Sequence, residues 1–390
     1  MTSDAINPEL IARFKRDGVE IDTVLHFLHD LNSLKFGEEK PAGPFSIPEM
    51  PHPSIIDVPS LSVWSMPLSQ AQKRFSELGL PITPESLGVK SGETITFNKA
   101  ALEKIGVYLY PKTAYGFFSG GAASSYADVK KNSALSEDLF SVFQERFDTM
   151  AELCRGKPKG ITPAYLNKDG SPGLSFLLLK FRMLLAHKER YFRLTGSVPP
   201  VLLPAFQMTS VHTNEAISSA MEEYERDPLL TVVAKRIGCP PVDIYTAVQP
   251  MMAAITHSSE GLPRRIFDRA HGKENSGLPI PGGHGQNFEI LAPIYRDLQK
   301  KGIKYIWLGN IDNMGYTVDP VLLAVFALSE KSAGFETSYR TPMDIKGGIL
   351  VSDPKGKMTC VDIGPAIKAQ DVIAFEAEGK RILFNCGIGL

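Results

Sequence analysis

Near the C-terminal end, the run "KYIWLGNIDNMGYTVDP" climbs through apolar residues and then meets Asn310, Asp312 and Asn313 together. An unpaired carboxylate in a core is costly, so one at a strand end faces water, a partner or a metal ion. The neighbouring amides add neutral hydrogen bonding of the kind that suits sugar hydroxyls. The plain structural use of Asp312 would be to cap the following loop. Upstream, "GKPKGITPAY" sets Lys157 and Lys159 on either side of Pro158. Two ammonium groups on a stiffened turn suit a polyphosphate, although such a turn is equally an ordinary solvated surface.

Other stretches carry chemistry of the same kind. "SGGAASSYAD" places Gly120 beside Gly121, with Ser124 and Ser125 beyond. Glycines let backbone N–H groups approach phosphate oxygens, and hydroxyls add donors. The dinucleotide and Walker glycine patterns are both absent, so this loop alone is also readable as a tight turn. "PIPGGHGQNFEI" encloses His284 between Gly282, Gly283 and Gly285, a setting with little reason to lie in a core. Thr209 and Ser210 end "PAFQMTS" ahead of His212, where helix capping is the commoner use of a hydroxyl. "DIKGGILV" sets Lys346 before two glycines, and "LFNCGIGL" sets Asn385 at a strand end.

The elements that must position these residues alternate. A Gly/Ser loop follows the aromatic run that starts at Val107. Helix "GLSFLLLKFRMLLAHKERYF" then precedes strand "PPVLLPAFQMTS", and helix "HTNEAISSAMEEYER" precedes strand "VDIYTAVQ". Helix "QNFEILAPIYRDLQKKG", strand "IKYIWLGNIDN" and helix "DPVLLAVFALSEKSAG" follow. Such alternation predicts a mainly parallel sheet with helices on both faces, and ligands beyond the C-terminal ends of its strands. Four later segments, "MDIKGGILVSD", "KMTCVDI", "VIAFEAEG" and "RILFNCGIGL", read as antiparallel strands at the sheet edge. Residues 1–105 read as a helical extension with a proline-rich strap, and residues 106–390 as the catalytic domain. Between the Gly loop and "PKG", the stretch "LSEDLFSVFQERFDTMAELCRG" reads as an inserted helix.

Composition narrows the partners. The 390 residues carry a formal net charge of -1, so there is no bulk attraction to nucleic acid or an anionic membrane. The most apolar run, "LSFLLLKFRMLL", is interrupted by Lys180 and Arg182 and reads as a buried helix rather than a span. The four cysteines form no CxxC pair, which argues against a zinc site or a disulfide framework and fits a reducing compartment. A cytoplasmic setting is the expectation.

Taken in order, the Gly-Gly loop, "PKG", "MTS", the glutamine-ended strand, "GHG", "IDN" followed by "VDP", "KGG" and "FN" resemble the UTP-dependent sugar-1-phosphate uridylyltransferases. These are the UDP-glucose, UDP-N-acetylglucosamine and UDP-sugar pyrophosphorylases. The likeness runs from about Tyr115 to the C-terminus. It implies an α/β, Rossmann-like nucleotidyltransferase fold of the GT-A kind. It also implies Mg²⁺ as cofactor, with UTP and a sugar-1-phosphate as substrates, glucose-1-phosphate or N-acetylglucosamine-1-phosphate first among them. By motif, Gly120 and Gly121 would hold the nucleotide, and Lys159 and Lys346 would meet the phosphates. Gln249 and Gly285 would meet the uracil, His284 the sugar phosphate, and Asp312 the metal. Asn385, Thr209 and Asn310 would face the sugar.

The chain also departs from that pattern. Ala122 and Ala123 stand where the family usually has Leu-Gly or Gln-Gly, and Gln286 replaces the acid that often follows "GHG". The chain stops soon after "FN", where many members carry a further C-terminal domain. These departures keep a second reading open, a homologue that binds nucleotide or sugar phosphate with weak or no turnover. A Rossmann-type oxidoreductase is disfavoured by the missing GxGxxG.

Overall fold

The computed structural model describes residues 6–33, 43–122, 137–341, 344, 347–364 and 366–390. The chain opens with α1 (Pro8–Arg16) and α2 (Ile21–Asn32). The two are separate because Gly18 turns the backbone at φ 71°, a region glycine enters without steric cost. Next come β1 (Val63–Pro67), α3 (Leu68–Leu78), β2 (Val89–Ser91), β3 (Thr94–Asn98) and α4 (Lys99–Tyr108). The run from Val107 therefore begins as the end of a helix. Strand β4 is Thr113–Phe118, and α5 (Glu137–Cys154) is the expected inserted helix.

The alternating part follows in order. Helix α6 (Phe176–Thr195) precedes β5 (Ala205–Ser210). Helices α7 (Asn214–Tyr224) and α8 (Pro228–Ile237) precede β6 (Ile244–Gln249). A hairpin-like pair, β7 (Met251–Ala253) and β8 (Pro279–Pro281), leads to α9 (Asn287–Ile290) and α10 (Ala292–Lys300). Strand β9 (Tyr305–Asn310), α11 (Pro320–Leu328), β10 (Phe335–Tyr339), β11 (Gly348–Ser352) and β12 (Met358–Asp362) follow. The chain closes with α12 (Ala369–Ala377) and β13 (Leu383–Gly389).

Among the described residues the main sheet has eight strands, in the order β12-β11-β13-β9-β4-β5-β6, with β10 also paired to β13. Strands β9, β4, β5 and β6 are parallel neighbours, whereas β13 joins β9 antiparallel. This is the mixed, mainly parallel sheet that the alternation predicted. One face packs against α4, α6 and α11 around Leu102, Phe181, Trp307 and Leu323, and the other against α10 around Phe206, Leu298 and Ile303.

Three readings change. "VIAFEAEG" lies in the helix α12 rather than a strand, because Ala and Glu are strong helix formers and outweigh its short Val-Ile pair. The N-terminal part also contains a three-stranded antiparallel sheet, β1-β3-β2. The boundary expected at 105/106 falls inside α4, and one core cluster spans it, from Phe75 and Phe97 to Tyr115 and Trp307.

Candidate active site

Because β9, β4, β5 and β6 are parallel neighbours, their C-terminal ends share one edge of the sheet. Phe118 at the end of β4 lies between Asn310 of β9 and Met208 of β5, and Ser210 of β5 lies beside Gln249 of β6. The chemistry-bearing motifs leave from these ends.

The glycine loop leaves β4 and is fixed from two sides. Ser210 Oγ donates to the Gly120 carbonyl at 3.1 Å, and the Lys159 backbone N–H donates to the Gly121 carbonyl at 3.0 Å. A bridge between Ala122 and Pro158 extends that pairing. The "PKG" turn is thus laid along the glycine loop. From there Lys159 Nζ reaches Asp312 Oδ2, just past β9, at 2.9 Å. The two side chains keep 25% and 19% of their exposure. A pair so close to solvent is held by about 1 kcal/mol, so incoming charge can open it.

Beneath Asp312 lies Lys180 of α6, which is 4% exposed. Its ammonium donates to the carbonyls of Asn313 and Tyr316, each at 2.7 Å, and sits 4.9 Å from the Tyr316 ring centre. Tyr115 Oη also donates to the Tyr316 carbonyl at 2.8 Å, while Tyr316 Oη donates to the Gly116 carbonyl at 2.7 Å. Burial pulls the Lys180 ammonium down to about 8, against the opposing pull of the Asp312 carboxylate. The turn that carries Asp312 is therefore tied to the sheet from below. Sequence reasoning treated Lys180 only as an interruption of an apolar run. The missed signal was its spacing: Leu177, Phe181 and Leu184 are all buried, which places Lys180 on the inner face of the helix.

The "GHG" turn crosses from β6 back to β4. Gln249 Nε2 donates to the Gly283 carbonyl at 3.0 Å and to Gln286 Oε1 at 2.9 Å. The His284 ring lies flat on Phe118, with centres 4.3 Å apart and planes 11° apart. Partial burial and the nearby Lys159 charge lower the His284 pKa, with Asp312 acting in the opposite sense. The shift favours the neutral ring. At Gly285 an added Cβ would meet nothing within 4 Å, so this side of the turn is open.

The remaining candidates differ in accessibility. A Cβ added at Gly387 of β13 would fall 3.8 Å from Asn310 Nδ2, and Asn313 Nδ2 donates to the Cys386 carbonyl at 2.9 Å. Strand β13 is thereby locked beside the Asp312 turn. Asn385 accepts from the Gly387 N–H at 2.8 Å. It also lines a cleft of ≈ 780 Å³ together with Phe118, His284, Gly285 and Gly387. Thr209 is fully buried, and its hydroxyl donates to Asn214 Oδ1 at 2.9 Å. That hydroxyl supports the floor of the site rather than its surface. Lys346 lies outside the described residues.

A family model described as UTP–glucose-1-phosphate uridylyltransferase matches residues 197–387. These residues contain "MTS", Gln249, "GHG", Asp312 and Asn385. Over these residues, about half of the chain, the protein is similar to the UTP–glucose-1-phosphate uridylyltransferase family. Among curated relatives, UTP–glucose-1-phosphate uridylyltransferase from Solanum tuberosum is 28% identical over 218 residues, covering 55% of this chain and 39% of that protein. The enzyme of the same name from Encephalitozoon cuniculi is 33% identical over 109 residues, covering 27% of this chain and 21% of that protein. The matched parts thus span well under half the length of these relatives.

Solved structures carry the fold likeness. The uridine diphosphate N-acetylglucosamine pyrophosphorylase of Trypanosoma brucei, in complex with an inhibitor, aligns with a TM-score of 0.51 at 19% identity. That alignment covers 75% of this chain and 49% of the other. A mutant UDP-glucose pyrophosphorylase of Leishmania major, in complex with UDP-glucose, aligns with a TM-score of 0.50 at 16% identity, covering 100% and 64%. The family's nucleotidyltransferase fold is therefore the fold of this chain.

Proposed function

We propose that this protein is a UTP-dependent sugar-1-phosphate uridylyltransferase, forming UDP-sugar and pyrophosphate from UTP and a sugar-1-phosphate. One observation carries the reading: Lys159 and Asp312 meet at 2.9 Å beside the glycine loop, at the shared edge of four parallel strands. One cation, one carboxylate and a loop backbone converge there, which supports a polyphosphate site.

In the reaction a sugar-phosphate oxygen attacks the α-phosphorus in line, and pyrophosphate leaves with the bonding electron pair. No protein nucleophile is required; catalysis is positioning and charge neutralisation. Lys159 would part from Asp312 and turn to the phosphates. Gly120 and Gly121 would hold the nucleotide, Gln249 and Gly285 the uracil, and His284 the region of the sugar phosphate. Asn310 and Asn385 would face the sugar, and Lys346 would add a second cation. Asp312 also fits Mg²⁺. It is the half-buried carboxylate at the strand edge, and among the described residues no cluster of three or more His, Cys, Asp or Glu is positioned for a metal. Mg²⁺ is commonly held by one or two carboxylates together with substrate phosphates. When bound there it would neutralise charge on the phosphates.

The reading includes a cytoplasmic setting, supported by four free cysteines. No described helix is long and apolar enough to cross a membrane. The test is pyrophosphate release from UTP and Mg²⁺ against a panel of sugar-1-phosphates, with CTP, GTP and ATP as controls. Release with UTP and one or two sugars is expected, glucose-1-phosphate or N-acetylglucosamine-1-phosphate among them. No release with any sugar would overturn the reading.

A further inference from the structure

The side-chain amide of Gln249 has a fixed orientation, and a neighbour outside the expected site fixes it. Its Nε2 donates to the Gly283 carbonyl at 3.0 Å. A backbone carbonyl can only accept, so the nitrogen of the Gln249 amide must face it. The second Nε2 hydrogen then goes to Gln286 Oε1 at 2.9 Å. Both hydrogens of the amide are spent inside the protein. The carbonyl oxygen of Gln249 has no partner among the described residues and is not a buried orphan. It is the part of the amide left for a ligand.

The position of Gln286 is built, not incidental. A Cβ added at Gly282 would fall 2.2 Å from Gln286 Oε1, so the absence of a side chain at 282 leaves the room that the Gln286 amide fills. Gln286 leads into α9, whose Asn287 donates to the His284 carbonyl at 2.7 Å and accepts from Tyr295 Oη at 2.7 Å. The turn is thereby held at both ends.

We infer that Gln286 is a positioning residue for nucleobase selection: it holds Gln249 with only its carbonyl oxygen outward, so the site accepts a pyrimidine that carries an N3–H donor. This rests on the uridylyltransferase reading and deepens it. Uracil offers N3–H, which an outward carbonyl oxygen accepts. Cytosine offers a lone pair at N3, which that oxygen repels. A site built for a donor rejects a base without one because its own group is left unpaired.

The experiment is calorimetric binding of UTP and CTP, each with Mg²⁺, to the full chain and to Gln286→Leu, Gln286→Glu and Gly282→Ala. Binding is read independently of turnover. With Leu at 286 the second Nε2 hydrogen loses its acceptor, and the Gly283 carbonyl alone is left to hold the amide in its orientation. The preference for UTP over CTP is expected to shrink by about tenfold or more. Gly282→Ala, which displaces the Gln286 amide by another route, is expected to do the same even if the Leu variant does not fold. Gln286→Glu keeps an acceptor and is expected to keep the preference. An unchanged UTP/CTP ratio in both Gln286→Leu and Gly282→Ala overturns the inference and leaves the proposed reaction standing. Equal weakening of both nucleotides also overturns it, since that marks a general support of the turn. No preference in the unaltered protein would sink the uracil reading itself, and this inference with it.

Discussion

Lys159 and Asp312 are each other's partner, yet in the proposed reaction each has another: phosphate for the lysine, metal for the carboxylate. The lysine and a divalent cation therefore compete for the same oxygen. Lys159→Ala should tighten binding of Mg²⁺ alone, read by calorimetry, while lowering kcat with UTP by about 100-fold, the loss typical of a removed charge-stabilising donor. Weaker binding of Mg²⁺ alone in that variant would show that the lysine does not guard the carboxylate. This pairing could not be read from spacing, because the two residues lie 153 positions apart in sequence. What was legible was the chemistry of each motif and the order of the motifs. Thr209 shows the opposite outcome. The resemblance assigned it a sugar contact, but it lies in a strand buried on both faces, and its hydroxyl turns to Asn214.

At the scale of elements, α6 supports the Asp312 turn through Lys180. Replacing it with Met removes one donor from each of the Tyr316 and Asn313 carbonyls, which keep Tyr115 Oη and the Tyr316 N–H respectively. Each hydrogen bond lost to a charged group is worth about 1.5–3 kcal/mol. Lys180→Met should melt several degrees lower and lose kcat, since the Asp312 turn loses its tie. Full kcat in the variant would mean that the tie serves stability alone. The pH dependence of stability gives a second check. The folded-state pKa is about 8, below the ordinary 10.5, so between these values the unfolded chain holds more proton than the folded one. Stability contributed by this group must then rise with pH from about 8 towards 10. Thermal melts across that window should show a steeper rise in the unaltered protein than in Lys180→Met. The alternation of helices and strands was legible because burial on a two-faced sheet imposes long, distinct periods. The short pieces were not: "VIAFEAEG" is too brief for period to decide, and β1 and β3 lie within the stretch read only as a helical extension with a proline-rich strap.

At the scale of the molecule, the N-terminal helices brace the segment that leads into the "GHG" turn. Phe14 is fully buried and fills the space above Gly277, where an added Cβ would fall 2.0 Å from its ring. Arg13 Nη1 donates to Ser276 Oγ at 2.9 Å, and the Gly18–Glu20 backbone pairs with Met251. The segment between Gln249 and His284 is thus clasped by α1 and α2. Phe14→Ala should cost about 3–5 kcal/mol of stability and raise the KM for UTP more than it lowers kcat, as checked by melting and steady-state kinetics. An unchanged KM would confine the N-terminal helices to a structural role. The central claim concerns Asp312 at the shared strand edge. It is tested most directly by Mg²⁺-dependent pyrophosphate release from UTP and a sugar-1-phosphate, comparing the unaltered protein with Asp312→Asn. The account predicts release by the former, a loss of about 100-fold or more in the latter, and closely similar melting temperatures. Equal rates in the two proteins would contradict it.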